Sequence, residues 1–323
     1  MKKITYFYRN HKVGYSIKKV TDLYVNKIAD KEVYEMPSQY ASIRGILKNM
    51  YFTFKHRNKK GINHITGDVH YCIVPLMFCK TILTIHDTSA YDCAKGIKKT
   101  IIKYLWFKIP LALASKVVCI SDCTKNAISK FTKRKDVVVI PNAVDPHLSY
   151  TPKEFNQECP NILMIGTNWN KNIERTICAL KDLKCHITII GKLNDSQKHI
   201  LKTNKTDYNN KYNLSDEEIN VEYQLSDIVS FCSVFEGFGM PIIEANAVGR
   251  VVITSNIAPM TEVGGESVIY VNPYSVQDIN SAFKEIIDNQ ETRNNLIVLG
   301  RKNALRFNVN KIVNDYIKLY SSL

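Results

Sequence analysis

The chain has 323 residues, of which 45% are hydrophobic and 23% charged, and a formal net charge of +14. That mixture is ordinary for a globular protein, and the length exceeds the roughly 250 to 300 residues at which one hydrophobic core stops growing, so two domains are expected. The excess charge lies entirely in residues 1–150, which hold 26 Lys and Arg against 10 Asp and Glu, a balance of +16, whereas residues 151–323 stand at −2; such asymmetry points to nucleic acid, an anionic membrane surface or a phosphorylated substrate.

The opening MKKITYFYRN has lysines but no apolar core, because Arg9, Asn10, His11 and Lys12 interrupt it, so no secretory leader is expected. A first buried strand reads at 2–8, followed by a helix-length segment at 38–56 and strands at 80–87, 116–121 and 137–141, with a helix at 124–133 between the last two. The apolar stretches 71–85 and 100–120 are broken by lysines and are too short to span a membrane. Nine scattered cysteines without a CxxC pair read as reduced, mostly buried thiols of a cytoplasmic protein.

After Pro141 the segment NAVDPHLSYTPKEFNQECP carries three prolines and no periodicity, which marks a domain boundary. Beyond it strands at 161–166, 186–191, 227–232 and 251–255 alternate with helices at 174–184 and 241–248, and a last helix covers 309–320. Repeated βα units imply two doubly wound α/β domains, each with its active loops at the carboxyl ends of its strands and with ligand in the cleft between them. The expected division is 1–150, 151–305 and a C-terminal helix, 306–323, returning to the first domain.

The most informative segment is SVFEGFGMPIIEANAVGRVVITSN, residues 233–256. A strand ends, a loop carries Glu236, Gly237, Phe238, Gly239 and Met240, and Pro241 opens a helix that contains Glu244. Glycines permit close approach of backbone to a ligand, and free amides at a helix start attract phosphate. With one carboxylate in the loop and another one turn into the helix, the fitting ligand has a phosphate between two polyols: a nucleotide sugar.

Glu236 and Glu244, in the context EGFGMPIIEA, resemble the E-x7-E element of the retaining glycosyltransferases of family 4, the glycosyl transferases group 1 domain, which have the GT-B fold of two Rossmann-like domains facing across a cleft. The resemblance extends through GRVVITS (249–255), EVGG (262–265) and IGTNWNKNIERTICAL (165–180), and more loosely through HITGDVHY (64–71), TIHD (84–87), CISDCTKNAI (119–128) and VIPNAVDP (139–146). It implies an N-terminal acceptor domain and a C-terminal donor domain. It also implies that Glu236 binds donor-sugar hydroxyls, that the backbone of Phe238, Gly239 and Met240 holds sugar and diphosphate, and that Glu244 accepts from the ribose. Lys171 would neutralise the departing diphosphate, Gly14 would lie against the phosphates, and His86 would face the sugar. His64, Asp68 and His70 would line the acceptor side, and the base would lie near Gly191, Lys192, Tyr212 and Asn213. The arginine that usually precedes the lysine is absent, Thr167, Asn168 and Asn170 filling the stretch, which leaves Lys171 alone or helped by Arg175, and Ala143 stands where members carry a glycine. Asp87 and Asp122 also fit as caps of following helices.

No Asp-x-Asp occurs, so neither metal nor cofactor is implied, and the expected reaction is front-face transfer with retention in which the leaving phosphate helps to deprotonate the acceptor. The resemblance is to bacterial enzymes that extend O-antigen or capsule units, with a glycan or lipid-diphosphate acceptor. Rival readings are a sugar-nucleotide epimerase or phosphorylase on the same fold and an inactive scaffold in a glycan-assembly complex. Nucleic acid is disfavoured because no recognition motif accompanies the charge. Segments 38–60 and 95–108 mix lysines and arginines with aliphatic and aromatic residues, which fits either core-facing helices with a solvated basic side or peripheral contact with an anionic inner-leaflet surface.

Overall fold

The computed structural model describes residues 2–14 and 16–323. The chain forms two α/β units, Met1–Ala143 with Val309–Leu323, and Val144–Asn308. The division falls at 143/144, where the Val144 amide donates to the Phe307 carbonyl at 2.9 Å and so ties both ends of the second unit together.

The first unit runs β1 (Ile4–Tyr8), α1 (Ser16–Val25), β2 (Lys31–Glu35), α2 (Ile43–His56), β3 (Ile62–Ile65), a 3₁₀ helix His70–Leu76, β4 (Lys80–Ile85), α3 (Ser89–Asp92), α4 (Gly96–Ile102), a π-helical stretch Lys103–Lys108, α5 (Ile109–Leu113), β5 (Lys116–Cys119), α6 (Asp122–Ile128) and β6 (Val137–Val139). Its six strands are parallel in the order β2-β1-β3-β4-β5-β6. Strands β2 and β3 do not show as apolar runs: KEVYE is a half-buried edge, and INHI carries two polar residues that are nonetheless fully buried. Ser42 starts α2 later than the sequence suggests, its hydroxyl accepting from the Gly45 amide.

The second unit runs β7 (Asn161–Ile165), a 3₁₀ turn Trp169–Lys171, α7 (Ile173–Leu180), β8 (His186–Ile190), α8 (Asp195–Thr203), β9 (Tyr208–Lys211), α9 (Asp216–Leu225), β10 (Ile228–Phe231), α10 (Met240–Val248), β11 (Val251–Ser255), α11 (Met260–Gly264), β12 (Ile269–Val271), α12 (Val276–Asp288) and α13 (Gln290–Ala304). The order β12-β11-β10-β7-β8-β9 is that of the dinucleotide-binding sheet, again all parallel. The edges β9 and β12 escape the sequence reading because YNNK is polar and IYV is only three residues long. The nine cysteines are free, but only Cys72, Cys119, Cys185 and Cys232 are buried, and Cys93 and Cys178 are exposed.

In the first unit, α1 and the C-terminal helix Val309–Ser321 cover one face of the sheet, where Tyr24 and Tyr316 stack with ring centroids 4.0 Å apart. A buried polar chain runs through this aromatic layer. The Tyr6 hydroxyl donates to that of Tyr320 at 2.9 Å, Tyr320 meets His64 Nδ1 at 2.9 Å, and His64 Nε2 meets Thr84 Oγ1 at 2.8 Å. Both nitrogens of a neutral imidazole are thereby satisfied, which is what allows His64 to be fully buried. Tyr320→Phe deletes the central hydroxyl and strands two buried groups; we expect a loss of about 1–3 kcal/mol, read as a lower urea midpoint with an unchanged slope.

Candidate active site

In each sheet the chain reverses its winding direction at one place, β7/β10 in the second unit and β1/β3 in the first, and crevices outside the strands' carboxyl ends at such points are the ligand sites of open α/β sheets. At β7/β10 two loops meet. The loop after β7 leaves through Gly166 (φ +86°), where an added Cβ would lie 2.9 Å from the Lys171 Cε, so this glycine makes room for the lysine stem. Asn172 adopts the left-handed conformation (φ 57°, ψ 33°) that asparagine tolerates, and its amide donates to the Cys232 and Pro273 carbonyls, pinning the loop to the ends of β10 and β12. The loop after β10 is held by two buried hydroxyls of β11: Thr254 donates to the Phe231 carbonyl at 2.8 Å and Ser255 to that of Ser233 at 2.6 Å.

Between these loops the Lys171 ammonium lies 2.7 Å from Glu236 Oε1, with the two side chains only 19% and 14% exposed, and 4.7 Å from the Phe231 ring centroid. Asn170 donates from Nδ2 to the same carboxylate oxygen at 3.1 Å and to the Phe235 carbonyl at 2.9 Å, and its own carbonyl accepts from the Val234 amide. Asn170 therefore positions Glu236. Arg175 does not join Lys171: its guanidinium is engaged by Asn172 and the Pro273 carbonyl.

Beyond Glu236 the chain passes buried Phe238, packed edge-on against Phe307, to Gly239 (φ +123°), which caps α10. Met240 is half-buried at the first helical position. Buried residues surround α10 on every side, which fixes where its amino end points. Glu244, half-buried on α10, accepts from the Tyr223 hydroxyl at 2.6 Å. Burial and this carboxylate hold the Tyr223 hydroxyl well above its ordinary pKa, so it stays a donor. No spacing rule links Tyr223 on α9 to Glu244, so the sequence gives no signal for it; Asn170 carries a weak signal, standing where the family's arginine is missing.

At β1/β3 of the first unit, Arg9 follows β1 directly. Its guanidinium donates to the Gly14 carbonyl at 3.1 Å and meets Asp68 Oδ2 at 3.4 Å, and its Nε is buried without a partner among the described residues. Arg9 was not singled out in the sequence, although a basic residue at the end of a first strand is a legible signal. Gly14 thus lies at this edge, tied to Arg9. His86 ends β4, half-buried, with Nε2 2.8 Å from the Thr66 carbonyl, which leaves Nδ1 as its lone-pair nitrogen. His70 Nδ1 donates to the Trp106 carbonyl at 2.7 Å, a carbonyl that Pro110 cannot serve in an α-helix, and its buried Nε2 has no partner among the described residues. The Trp106 indole donates to the Asp68 carbonyl at 2.7 Å, leaving the Asp68 side chain half exposed.

The structure thus gathers Gly14, Asp68, His70 and His86 at the carboxyl edge of the first sheet, and Lys171, Glu236, Phe238, Gly239, Met240 and Glu244 at that of the second. It does not place His64 there: the expectation that His64 lines an acceptor site fails because its ring is enclosed by Tyr6, Tyr316 and Tyr320, with both nitrogens occupied. Asp87 caps α3 through Ser89, whereas α6 is capped by Ser121 and not by Asp122.

Two parallel six-stranded sheets with these switch-point sites define a GT-B glycosyltransferase fold. The crystal structure of Anabaena Alr3699/HepE in complex with UDP and glucose superposes over 100% of both chains with a TM-score of 0.78 at 15% identity. Residues 151–303 match the glycosyl transferases group 1 family, and this match together with the related sequences makes the chain a glycosyltransferase. Related sequences include an uncharacterized glycosyltransferase of Methanocaldococcus jannaschii, 26% identical over 75% of this chain and 68% of its own length. The O-antigen chain mannosyltransferase RfbU of Salmonella typhimurium is 27% identical over 85% of this chain and 77% of its own.

Burial holds His64 down to about 3 and lowers His70 and His86 below the usual imidazole range. Below about pH 6.5 the unfolded chain binds protons that the folded chain refuses, so stability falls with acidification, each histidine contributing a slope of up to about 1.4 kcal/mol per pH unit until its folded pKa is reached. Urea midpoints followed from pH 7 to pH 4.5 should decline, and His64→Gln should flatten the decline.

Proposed function

We propose that the protein transfers a hexose-type sugar, with retention and without a metal, from a UDP- or GDP-sugar to a glycan or lipid-linked acceptor in the synthesis of a surface polysaccharide such as O-antigen or capsule. The observation that carries this reading is the Lys171–Glu236 pair beside the amino end of α10. The unliganded cation and carboxylate neutralise each other; a donor exchanges them, its diphosphate taking Lys171 and the α10 amides, and its sugar hydroxyls taking Glu236. Glu244, oriented by Tyr223, accepts from the ribose. The anomeric C–O bond then breaks with its electron pair leaving on the diphosphate. The acceptor oxygen bonds to the same face, and its proton passes to the departing phosphate oxygen. His86, with Nδ1 as acceptor, serves the sugar, and Asp68 and His70 serve the acceptor. The O-antigen role of RfbU and the UDP and glucose in the Anabaena complex support the substrate class.

Replacing Lys171 or Glu236 with alanine is expected to lower kcat/KM for transfer by 100-fold or more, with circular dichroism unchanged. Product made from an α-linked donor should be α-linked by NMR. Turnover of the donor without any acceptor would favour the epimerase or phosphorylase alternative, and undiminished transfer by Glu236→Ala would overturn the site.

The same reading includes peripheral contact of the first unit with an anionic membrane. Among the described residues no helix is long and apolar enough to cross one. Helix α2 instead turns Gly45, Asn49 and Thr53 inward and exposes Ile43, Leu47, Tyr51 and Phe54 along one stripe, with Arg44, Lys48 and Lys55 beside it. Each basic residue near an anionic surface contributes about 1 kcal/mol. Flotation with phosphatidylglycerol vesicles at low salt should carry the protein, and the pair Leu47→Glu and Tyr51→Glu should release it; failure of the unmodified protein to float refutes the contact.

A further inference from the structure

The second unit holds a cavity of about 210 Å³ at the amino ends of β10 and β11, the edge of the sheet opposite to that of Lys171 and Glu236. Two arginines line it: Arg250, which immediately precedes β11, and Arg293 in the first turn of α13, only 4% and 5% exposed. Main-chain carbonyls hold both guanidinium groups. Arg250 donates from Nη1 to the Thr151, Val248 and Gly249 carbonyls and from Nη2 to that of Gln224, while Arg293 donates from Nη1 to the Ile286 and Ile287 carbonyls and stacks over the Phe155 ring, 4.2 Å from its centroid. Carbonyls orient these cations without neutralising them, and neither has a carboxylate at ion-pair distance among the described residues. Of the two acidic residues in the wall, Asp227 is taken up by Lys153 and by the Asn156 and Asn161 amides, and Glu154 is exposed to solvent. The Arg250 Nε is buried with no hydrogen-bond partner among the described residues, an orphaned charged donor of a kind that interiors rarely leave open. The cavity also opens on Gln290, the first residue of α13, so the positive end of a 15-residue helix adds to the field of the two arginines.

We propose that this cavity binds one small oxyanion of the inorganic phosphate class, bridging Arg250 and Arg293. Planar guanidinium groups match the oxygens of phosphate or sulfate in pairs, and the volume is below the roughly 300 Å³ at which pockets begin to enclose a larger organic ligand. Exposed Asn294, on the same wall, brings an amide donor for a further oxygen. The site is separate from the transfer chemistry and does not depend on the identity of the donor, but α10 connects the two. The carbonyls of Val248 and Gly249 that Arg250 takes end the helix whose amino end follows the Glu236 loop, so an anion that fixes Arg250 also fixes the carboxyl end of that helix.

Inorganic phosphate, exchanged for chloride at constant pH and ionic strength, is titrated into the full chain while the unfolding temperature is followed, and Lys171→Ala is run beside it to weaken any binding at the donor loop. A saturable rise is expected in both proteins, because a ligand that binds only the folded state stabilises it. Asn294→Glu supplies a tethered carboxylate at the cavity wall. It should melt higher than the parent without phosphate and bind phosphate at least tenfold more weakly; Gln290→Glu should do the same if the first variant folds poorly. Hydrogen exchange locates the ion: phosphate should raise protection at the Gly249 and Arg250 amides, which close the end of α10. Absence of a rise beyond that in chloride overturns the site, as does a rise that Lys171→Ala abolishes, a rise that both carboxylate variants retain in full, or unchanged exchange at Gly249 and Arg250.

Discussion

The pairing of Lys171 with Glu236 is the interaction around which the second unit is arranged. The loops that follow the paired strands β7 and β10 meet at the switch point, and a cation on one with a carboxylate on the other stays paired there only if both loops are held. Gly166 and Asn172 hold the lysine's loop; Thr254, Ser255 and Asn170 hold the carboxylate's. These backbone conformations and side-chain hydrogen bonds together leave a charge pair, only partly screened from water, whose members can be drawn apart by a ligand that offers each a better partner.

The first unit repeats the arrangement with different parts. Arg9 and Asp68 meet across β1/β3 at 3.4 Å, a looser contact than the 2.7 Å of Lys171 and Glu236, and Arg9 also donates to the Gly14 carbonyl. Around them sit two neutral imidazoles whose tautomers are set by backbone carbonyls. The chemistry of the two units therefore differs: a strong cation with shielding carboxylates in one, a tethered guanidinium with lone-pair nitrogens in the other.

Much of this was legible in the residues. Central strands of parallel sheets are covered on both faces and so appear as apolar runs, and EGFGMP announces a loop and a helix start through its glycines and proline. Asn172, next to Lys171, occupies a left-handed conformation that asparagine tolerates. What stayed hidden are the elements that gain their identity from distant partners. INHI is a strand because Asn63 and His64 find buried partners at Asn58, Tyr320 and Thr84, and no local pattern reports that. His64 looked like a ligand residue for the same reason: a histidine in a polar motif shows its chemistry but not which face of the sheet it enters. Helix α2 is harder to read, because Ile46, Met50 and Phe52 pack toward the core beside buried Gly45, Asn49 and Thr53 while Ile43, Leu47, Tyr51 and Phe54 stay exposed.

The C-terminal helix has a consequence for the order in which the chain acquires structure. Residues 144–308 are contiguous and contain everything their sheet needs, whereas the first sheet lacks the cover over Tyr6, His64 and Ile82 until residues 309–321 have been made. During synthesis the unit that emerges second is therefore the one able to complete its core first, and the earlier half waits with an aromatic face open to solvent. Joining residues more than 250 positions apart also carries a high loop-closure cost, as the separations of 256 between His64 and Tyr320 and 314 between Tyr6 and Tyr320 illustrate. That docking makes the first unit's stability depend on residues 309–321 having been made.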